Sequence, residues 1–479
     1  MDSYDLLIIG GGINGTAIAR DAAHRGARVL LVEKDDLAQH TSSASSKLIH
    51  GGLRYLEYYE FRLVREALKE RELLLRTAPH IIRPLRFVLP HGEGMRPWWM
   101  LRAGLKLYDL LALGGSLPHA RAVRRSEAAL RAPLKAAKHL AVYWDAWVDD
   151  ARLVVLNAVD AAERGAEIAT GTELLSARRE GDVWRASLSG GRNVVARAIV
   201  NAAGPWVADV LKGRLSESSD SGVRLIKGSH IIVPALYDGD QAYILQQPDG
   251  RVVFAIPYEE RFTLIGTTDF PVNAPDDAQI SAEEIQYLCD AANRYFTRTV
   301  GPDDLVWSYS GIRSLFDDGA QDAQAVTRDY HLELDDDPGA KLLSVFGGKI
   351  TTARALAEEA MELLAVEGRK STRSEPLPGG DISPGFNLYL DRLSAWLPPA
   401  LLTRLSRAYG TRLRDLLGDA QSLDDLGRHF GAGLYEAELR YLKAHEFART
   451  AEDVLWRRTK TGLHMNQDER RAVADYLGA

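Results

Sequence analysis

The chain has 479 residues, enough to bury a large core and to divide into two or three domains. Its formal net charge is -7 and the charges are spread along the sequence, so general nucleic-acid binding is not expected. The single cysteine, Cys289, excludes an intramolecular disulfide and a cysteine zinc cluster, and no metal site is predicted. No apolar run is long enough to span a bilayer, and the start MDSYD lacks the basic residues of a signal peptide. We therefore expect a protein of the cytoplasm or of the cytoplasmic face of a membrane.

The first part of the chain has the pattern of a strand–helix–strand unit that binds a dinucleotide. An apolar strand precedes Gly10, Gly12 and Gly15 in GxGxxG spacing, and a second strand ends at Glu33. The first glycine permits a tight turn, the second lets a pyrophosphate approach the backbone, and the third lets helix and strand pack closely. The helix N-terminus then presents unpaired N–H groups to the phosphates. Glu33 can accept hydrogen bonds from ribose hydroxyls, which favours an unphosphorylated adenosine ribose.

Residues 41–55, TSSASSKLIHGGLRY, are too polar and too rich in serine and glycine for a core element. Small hydroxyl residues can approach a bound cofactor closely, while His50, Arg54 and Tyr55 add a titratable ring, a cation and a phenol. This pattern predicts the wall of a site, and the alternative is a solvent loop. Residues 57–76 follow as a predicted helix with alternating charges, to which no chemistry is assigned.

Residues 96–113 form a predicted amphipathic helix with tandem tryptophans at its start. Arg102, Lys106 and Asp109 fall on one narrow stripe. The remaining surface is apolar and includes Trp98, Trp99, Leu101, Leu105, Tyr108 and Leu111. Such a helix can lie in a membrane interface or pack in a core, and the sequence leaves both alternatives open.

Another helical pattern runs from Asp145 to Ala162, and a short strand follows at 167–169. The segment ARAIVNAAGPW, residues 196–206, then gives another apolar strand that ends in a turn of small residues. In a doubly wound sheet such a turn lies at the carboxyl end of a strand, where cofactors bind. The N-terminal unit is therefore predicted to be completed by a strand far along the sequence.

Between about 222 and 330 the chain has many short alternating segments, which predict an antiparallel sheet over the cofactor domain. Polar residues interrupt these apolar strands at His230, at 267–269 and at Arg313. A buried cation needs a partner, so an anionic ligand is one explanation and a structural salt bridge is the other.

A last buried strand, beginning at Leu342, ends in a glycine turn before Lys349. Thr351 or Thr352 can cap the long helix that follows, and the N-terminus of this helix could stabilise negative charge. The alternative for Lys349 is a solvated side chain. A linker rich in proline, glycine and serine at about 368–385 then marks a domain boundary.

The predicted fold class is α/β plus α, with a Rossmann-like cofactor domain, an antiparallel-sheet substrate domain and a C-terminal helical domain. The cofactor domain is discontinuous and the helical domain caps or dimerises the enzyme. The segments are 1–80, 140–222 and 340–367 for the cofactor domain, 81–139 and 223–339 for the substrate domain, and 386–479 for the helical domain.

The chain resembles the FAD-dependent, quinone-reducing (respiratory) glycerol-3-phosphate dehydrogenases, within the broader D-amino-acid-oxidase-like flavoprotein group. The similarity rests on long blocks, among them IIGGGINGTAIARDAAHRG, TSSASSKLIHGGLRYLE, WVDDARLV, NAAGPW, RLIKGSHIIVP, IGTTD, YSGIR, SVFGGKITTARALAE and LWRRTKTGL. One departure is Ser314, which stands where the family usually has proline after the arginine of YSGIR.

The resemblance implies three sets of site residues. For FAD they are Gly10, Gly12, Ile13, Asn14, Gly15, Glu33, Lys34, Thr41, Ser42, Ser45, Ser46, Ala203, Gly204, Gly348, Lys349 and Ile350. For the substrate they are Arg54, Tyr55, Arg313, Lys349 and Thr352. The implied catalytic residues are His50, His230 and Arg313. The sequence does not decide which histidine is the base, and an arginine-assisted or solvent-mediated proton route is the alternative.

The implied reaction is the oxidation of sn-glycerol 3-phosphate to dihydroxyacetone phosphate by hydride transfer to FAD, with electrons passed to membrane quinone. We expect peripheral attachment to the inner face of the cell membrane and a homodimer. One alternative is a soluble oxidase that passes electrons to oxygen and produces peroxide. Another is a flavin-binding scaffold or redox sensor, which would not require three cations on separate segments.

Overall fold

The computed structural model describes residues 2–92, 94–217, 222–317, 329–336 and 339–478. Two mixed sheets and a group of C-terminal helices form the molecule. The strands are β1 (Asp2–Ile9), β2 (Val29–Glu33), β3 (Leu48–Ile49), β4 (Ile82–His91), β5 (Arg121–Ala122), β6 (His139–Val148), β7 (Glu167–Thr170), β8 (Leu174–Glu180), β9 (Val183–Leu188), β10 (Asn193–Asn201), β11 (Gly222–Pro234), β12 (Ala242–Gln246), β13 (Val252–Tyr258), β14 (Phe262–Gly266), β15 (Phe270–Pro271), β16 (Trp307–Asp317), β17 (His331–Asp335) and β18 (Lys341–Phe346). The helices are α1 (Ile13–His24), α2 (Phe61–Thr77), α3 (Trp98–Leu111), α4 (Asp150–Glu163), α5 (Val207–Val210), α6 (Ala282–Asn293), α7 (Ala353–Leu363), α8 (Pro384–Leu393), α9 (Pro399–Tyr409), α10 (Leu413–Leu417), α11 (Glu436–His445) and α12 (Gln467–Leu477).

The first sheet, which we call the cofactor sheet, has β1 in parallel between β2 and β10. The order continues from β10 to β18 and β17 on one side and from β2 to β7 on the other, while the β8–β9 hairpin pairs with the start of β10. The prediction that 196–206 completes the N-terminal unit is therefore confirmed. Because β1, β10 and β18 are parallel, their carboxyl ends meet at one edge of the sheet.

Three helices cover one face of the cofactor sheet and bury its apolar side chains. Helix α1 packs between α4 and α7, and Ile18, Val155 and Leu356 are among the side chains buried there. The other face lies under the β8–β9 hairpin, where Trp184 is fully buried. Burial on both faces explains why residues 6–9 of β1 and 29–32 of β2 are continuously apolar in the sequence.

The second sheet, which we call the substrate sheet, has the order β15-β11-β14-β13-β12-β4-β6-β3. Strand β16 lies along β11 on its other side, and β5 pairs with β6. The pairing is antiparallel as predicted, except that β12 runs parallel to β4. Helix α6 packs on β11 and β13, and α3 lies near β6.

The segments of the two sheets differ from the predicted domains in three places. Strands β3 and β6 pair with the substrate sheet, and β17 pairs with the cofactor sheet. The predicted helix from Asp145 was wrong at its start, because 145–148 continue β6 and α4 begins at Asp150. Long-range pairing with β4 over the whole of β6 fixes this strand, and a local apolar pattern cannot reveal that pairing.

The predicted helix at 57–76 also begins later than expected. Residues Leu53–Tyr58 form a short 3-10 helix, Tyr59 has a φ of 60°, and α2 begins at Phe61. The reversal at Tyr59 separates the polar segment of the site from the charged helix that follows it.

Helices α8 to α12 form the C-terminal helical domain, with a core that includes Leu405, Leu413 and Leu442. The preceding segment 368–383 contains no helix or strand, yet Thr372 and Leu377 are buried against the cofactor domain. The fold class predicted from the sequence is confirmed. Within the described ranges, no helix has both the length and the apolar character needed to cross a bilayer.

Candidate active site

A cavity of about 1410 Å³ lies between the two sheets. The turns after β1, β10 and β18 form one wall, and β11, β16 and the inner side of α3 form the others. Most of the predicted site residues line this cavity. They are Gly10, Gly12, Ile13, Asn14, Glu33, Lys34, Thr41, Ser42, Ser45, Ser46, His50, Arg54, Tyr55, Ala203, Gly204, His230, Arg313, Gly348, Lys349 and Ile350.

Two predicted residues do not line the cavity. A Cβ atom at Gly15 would lie 2.0 Å from the carbonyl oxygen of Gly10, so Gly15 has the helix-packing role that the spacing predicted. Thr352 is buried at the N-cap of α7, and its hydroxyl makes no capping hydrogen bond with the described residues. Its substrate contact stays a prediction, and the neighbouring Thr351 lines the cavity.

The turn after β1 packs closely against the turn after β10 and against the end of β2. Gly10 has a φ of 109°, which disfavours other residues, and a Cβ atom there would lie 2.5 Å from the carbonyl oxygen of Ala202. Glu33, at the end of β2, accepts hydrogen bonds from the N–H groups of Gly11 at 2.7 Å and Asp35 at 2.9 Å. Burial raises the pKa of Glu33, and these two hydrogen bonds oppose that rise.

Asn14 joins the glycine turn after β1 to the glycine turn after β18. Its Nδ2 atom donates to the carbonyl oxygen of Gly347 at 3.0 Å. Its Oδ1 atom is buried and accepts no hydrogen bond from any residue that the structure describes. Since buried polar atoms are normally paired, this oxygen fits a donor that belongs to a bound cofactor.

The hydroxyl residues of segment 41–46 hold it against its neighbours. Ser42 Oγ accepts from the N–H of Ile13 at 3.0 Å, and Thr41 Oγ1 donates to the carbonyl oxygen of Ile312 at 2.7 Å. Ser45 Oγ donates to Asp150 Oδ2 at 2.8 Å, behind the cavity wall. These bonds give a polar, serine-rich segment the fixed backbone that a cofactor site requires.

Sequence reasoning missed two aromatic residues in the cofactor wall. The ring of Trp206 lies 4.7 Å from that of His40, and the ammonium group of Lys34 lies 5.1 Å from the Trp206 ring. All three residues line the cavity. The tryptophan after the small-residue turn at 201–204 was the available signal.

The cations of the substrate wall come from three separate segments. Arg313 Nη2 donates to Asp269 Oδ1 at 2.9 Å and to the carbonyl oxygen of Thr268 at 3.3 Å. The Lys349 ammonium group lies 4.6 Å from the centre of the Tyr55 ring. Arg54 lines the same cavity. Three cations from separate segments thus line one cavity, and an anionic ligand bound there would find positive partners.

The two candidate histidines have different environments. His230 is buried, its Nε2 atom lies 2.8 Å from Ser46 Oγ, and its ring stacks on Tyr309 at 4.9 Å. Burial, together with the nearby charges of Lys47 and Arg313, lowers the pKa of His230 to about 3. His230 is therefore neutral at physiological pH.

His50 is half-buried. A network of buried polar groups holds the loop that follows it. The N–H of Gly51 donates to the hydroxyl of Tyr108 at 2.9 Å, and this hydroxyl donates to Asp145 Oδ2 at 2.8 Å. Arg71 Nη1 donates to Asp145 Oδ1 at 2.7 Å. Burial raises the pKa of Asp145, and the charges of Arg71 and the nearby His50 oppose that rise.

Helix α3 is packed on one side and exposed on the other. Leu105 and Tyr108 are buried on its inner side. On its outer side Trp99 is 68% exposed, Leu110 is 57% exposed, and Leu113 just beyond the helix is 71% exposed. The helix is thus a core element that also presents an exposed apolar surface.

Residues 5–363 match the family described as FAD dependent oxidoreductase. The chain belongs to this family. Residues 370–477 match the family described as the C-terminal domain of alpha-glycerophosphate oxidase. The predicted family resemblance and the predicted cofactor, FAD, are therefore confirmed.

Relatives of this FAD-dependent oxidoreductase match it over nearly its full length. It is 51% identical over 492 residues to D-erythritol 1-phosphate dehydrogenase of Brucella abortus, covering 99% of this chain and 98% of that protein. It is 51% identical over 488 residues to glycerol-3-phosphate dehydrogenase of Pseudomonas aeruginosa, covering 99% of this chain and 95% of that protein. The structure of glycerol-3-phosphate dehydrogenase from Bacillus halodurans complexed with FAD is similar, with a TM-score of 0.72 and 26% identity over 99% of this chain and 94% of that one.

The residues of the cofactor wall fit FAD. Gly12 is the N-cap of α1 and lines the cavity, Glu33 offers a carboxylate near the far end of the unit, and Asn14 offers an acceptor without a partner among the described residues. Flavin, when bound, supplies a two-electron acceptor for a hydride. The N-terminus of α7 lies beside Gly348 in the same wall, where its dipole favours negative charge.

Proposed function

We propose that this oxidoreductase converts sn-glycerol 3-phosphate to dihydroxyacetone phosphate, with FAD as the hydride acceptor. The observation that carries the proposal is the set of three cations, Arg54, Arg313 and Lys349, which line one cavity with the cofactor turns. A relative named glycerol-3-phosphate dehydrogenase, at 51% identity, supports it. The proposed substrate carries a phosphate for the cations and a secondary alcohol for oxidation.

The cations have complementary properties in this proposal. Arginine can bind a phosphate with two parallel hydrogen bonds, whereas lysine acts as a compact point charge. Asp269 orients the guanidinium of Arg313, and the Tyr55 ring lies beneath the Lys349 ammonium group. Phosphate binding then positions the C2 hydroxyl, so that loss of one cation lowers turnover as well as affinity.

We propose His50 as the base that accepts the hydroxyl proton. Protonation of His230 is strongly disfavoured by its burial, and its Nε2 atom is engaged with Ser46. His50 is half-buried, lines the cavity and lies near Asp145. Replacement by asparagine tests this proposal: His50→Asn should lower kcat by about 10²- to 10⁴-fold with FAD bound. A larger loss in His230→Asn than in His50→Asn would reverse the assignment.

For the second half-reaction we propose transfer of electrons to membrane quinone, with peripheral attachment through α3 at the inner face of the cell membrane. The cavity reaches Met100, Leu101 and Leu105 on α3, and Trp99 and Leu110 are exposed on the same helix. An apolar helix surface next to the cavity suits an acceptor that is dissolved in lipid. Homodimerisation through the C-terminal helices remains a prediction, which light scattering would test.

Two specific observations favour other candidates. The relative named D-erythritol 1-phosphate dehydrogenase is as similar as the glycerol-3-phosphate dehydrogenase, and its named substrate is a longer polyol phosphate. The family matched by residues 370–477 is named for alpha-glycerophosphate oxidase. An oxidase that passes electrons to oxygen is therefore the other candidate.

An anaerobic experiment and a control in air separate these candidates. The purified flavoprotein is mixed with sn-glycerol 3-phosphate or with D-erythritol 1-phosphate, and the flavin absorbance is followed before and after a soluble quinone is added. Faster bleaching by glycerol 3-phosphate, followed by recovery with quinone, supports the proposal. Faster bleaching by D-erythritol 1-phosphate would mean that this compound, and not glycerol 3-phosphate, is the substrate. Rapid peroxide formation in air without quinone would favour the oxidase.

A further inference from the structure

The C-terminal helical domain contacts the cofactor side of the cleft through two consecutive arginines. Arg458 donates from Nη1 and Nη2 to the two carboxylate oxygens of Asp36, at 2.6 and 2.8 Å. Arg457 Nε donates to Asp36 Oδ2 at 2.6 Å. All three side chains are buried, and Asp36 lies three residues after Glu33. One carboxylate of the cofactor domain thus accepts three hydrogen bonds from the C-terminal domain.

Asp36 belongs to residues 33–42, which we call the cofactor loop. This loop encloses the glycine turn after β1. The N–H of Gly11 donates to Glu33, the N–H of Ala38 donates to the carbonyl oxygen of Gly11 at 3.1 Å, and the N–H of Ile13 donates to Ser42. A shift of the loop would therefore move the backbone that faces the cofactor.

A second contact connects the C-terminal domain, through the start of α4, to the segment that follows the cofactor loop. Lys460 of the C-terminal domain forms an ion pair with Asp149, the residue that caps α4. The next residue, Asp150, accepts from Ser45 Oγ at 2.8 Å and from Lys47 Nζ at 2.7 Å. The arginine contact and the lysine contact hold successive parts of the same cofactor wall.

We propose that Arg457 and Arg458 are positioning residues for FAD, which act through Asp36 on the cofactor loop. A guanidinium that binds a carboxylate through two hydrogen bonds fixes both its position and its plane. Because Asp36 is buried, loss of Arg458 leaves the carboxylate with only the Arg457 contact at Oδ2, and the loop must move to solvate Oδ1. The proposal rests on the cofactor alone and not on the proposed substrate.

The test compares two arginines of the C-terminal domain. Arg458→Met removes the two-point contact with Asp36, whereas Arg404→Met removes a two-point contact with Glu438 inside the helical domain, where both distances are 2.7 Å. Each variant is stripped of FAD and titrated with FAD, and the dissociation constant is measured from flavin fluorescence. No polyol phosphate is present, so failure of the proposed substrate cannot alter the result.

We expect the FAD dissociation constant to rise by roughly 5- to 150-fold in Arg458→Met, the range of a typical coupling between two sites. In Arg404→Met the FAD dissociation constant should stay close to the wild-type value, although this variant should lose about as much thermal stability as Arg458→Met. Equal loss of FAD affinity in both variants, or none in Arg458→Met, would overturn the proposal. If Arg458→Met does not fold, Arg458→Lys and Asp36→Asn provide the same comparison, and wild-type FAD affinity in both would overturn it.

Discussion

The two sides of the cleft use arginine in opposite ways. On the cofactor side, Arg152 and Arg458 have fully buried side chains, and each is bound to a carboxylate through two hydrogen bonds. On the substrate side, the Arg313 side chain is 36% exposed and Asp269 beside it is 31% exposed. A buried pair is fixed because separation of its charges is costly, whereas a half-exposed cation can bind a new anion at a small cost. The first kind of pair maintains the fold, and the second kind is available for chemistry.

The largest effect should come from breaking a buried pair. Arg152→Met leaves the Glu446 carboxylate buried without its guanidinium, so we expect a loss of about 3–5 kcal/mol in the free energy of unfolding. Urea unfolding followed by tryptophan fluorescence measures it. The double variant Arg152→Met/Glu446→Leu removes both charges and should recover much of the loss. A single variant as stable as the wild type would contradict the comparison.

The substrate side should show the opposite result. Arg313→Ala is expected to lower kcat/KM for glycerol 3-phosphate by about 30- to 1000-fold, equivalent to about 2–4 kcal/mol of lost transition-state binding. Its free energy of unfolding should fall by less than about 1 kcal/mol because the pair with Asp269 is half exposed.

The control for Arg313→Ala is Arg121→Ala, which breaks a pair with Glu127 at a similar exposure of 39% for the arginine, outside the cavity. The flavin absorption spectrum should be unchanged in both variants. Equal kinetics for Arg313→Ala and the wild type would remove Arg313 from the site.

Tyr108 gives an intermediate case, because it is buried and yet linked to the loop of His50. Tyr108→Phe leaves the N–H of Gly51 and the carboxylate of Asp145 without their hydroxyl partner, which should cost about 1–3 kcal/mol of stability. We also expect kcat to fall, since the loop loses the bond that positions it.

The matched control for Tyr108→Phe is Tyr243→Phe, which removes another buried hydroxyl that donates to the carbonyl oxygen of Leu130 at 2.9 Å. Stability should fall there without a change in kcat. If the two variants had the same kcat, the link between Tyr108 and the chemistry would be disproved.

The smallest effect concerns protonation of His230 and His80. His230 and His80 have pKa values lowered to about 3 by burial, against about 6.5 in the unfolded chain. Below pH 6.5 the unfolded state binds protons that the native state lacks, so stability decreases as the pH falls. Each histidine should contribute a loss of about 0.8 kcal/mol between pH 8 and pH 6.

Asparagine substitutions check this pH dependence on the two sides of the molecule. His230→Asn and His80→Asn should each make the free energy of unfolding less dependent on pH. Only His230→Asn alters the cavity wall. An unchanged slope in both variants would mean that other groups cause the acid sensitivity.

Local patterns predicted the cofactor side well. The glycine spacing, the carboxylate at Glu33 and the turn at 201–204 each follow from short-range rules on strands and helix N-termini. They also predicted that Lys349 belongs to the site, because it follows a glycine turn at the head of a helix. Errors occurred where pairing is long-range: residues 145–148 form a strand only because β4 lies beside them.

The buried polar networks could not be predicted, because their members are far apart in the sequence. Asp36 and Arg458 are separated by 422 positions, and Tyr108 meets Asp145 and Gly51 only when α3 packs on β6. Each of these residues, taken alone, resembles a solvated surface residue.

The sequence by itself determined the cofactor unit, the order of the domains and the family, since strand, turn and helix signals are local and the motif blocks are long. Tertiary structure alone decided which histidine is neutral, which arginines are buried, and which face of α3 is exposed. These properties depend on the solvent exposure and charged neighbours of each group, and only the packing of distant segments fixes both.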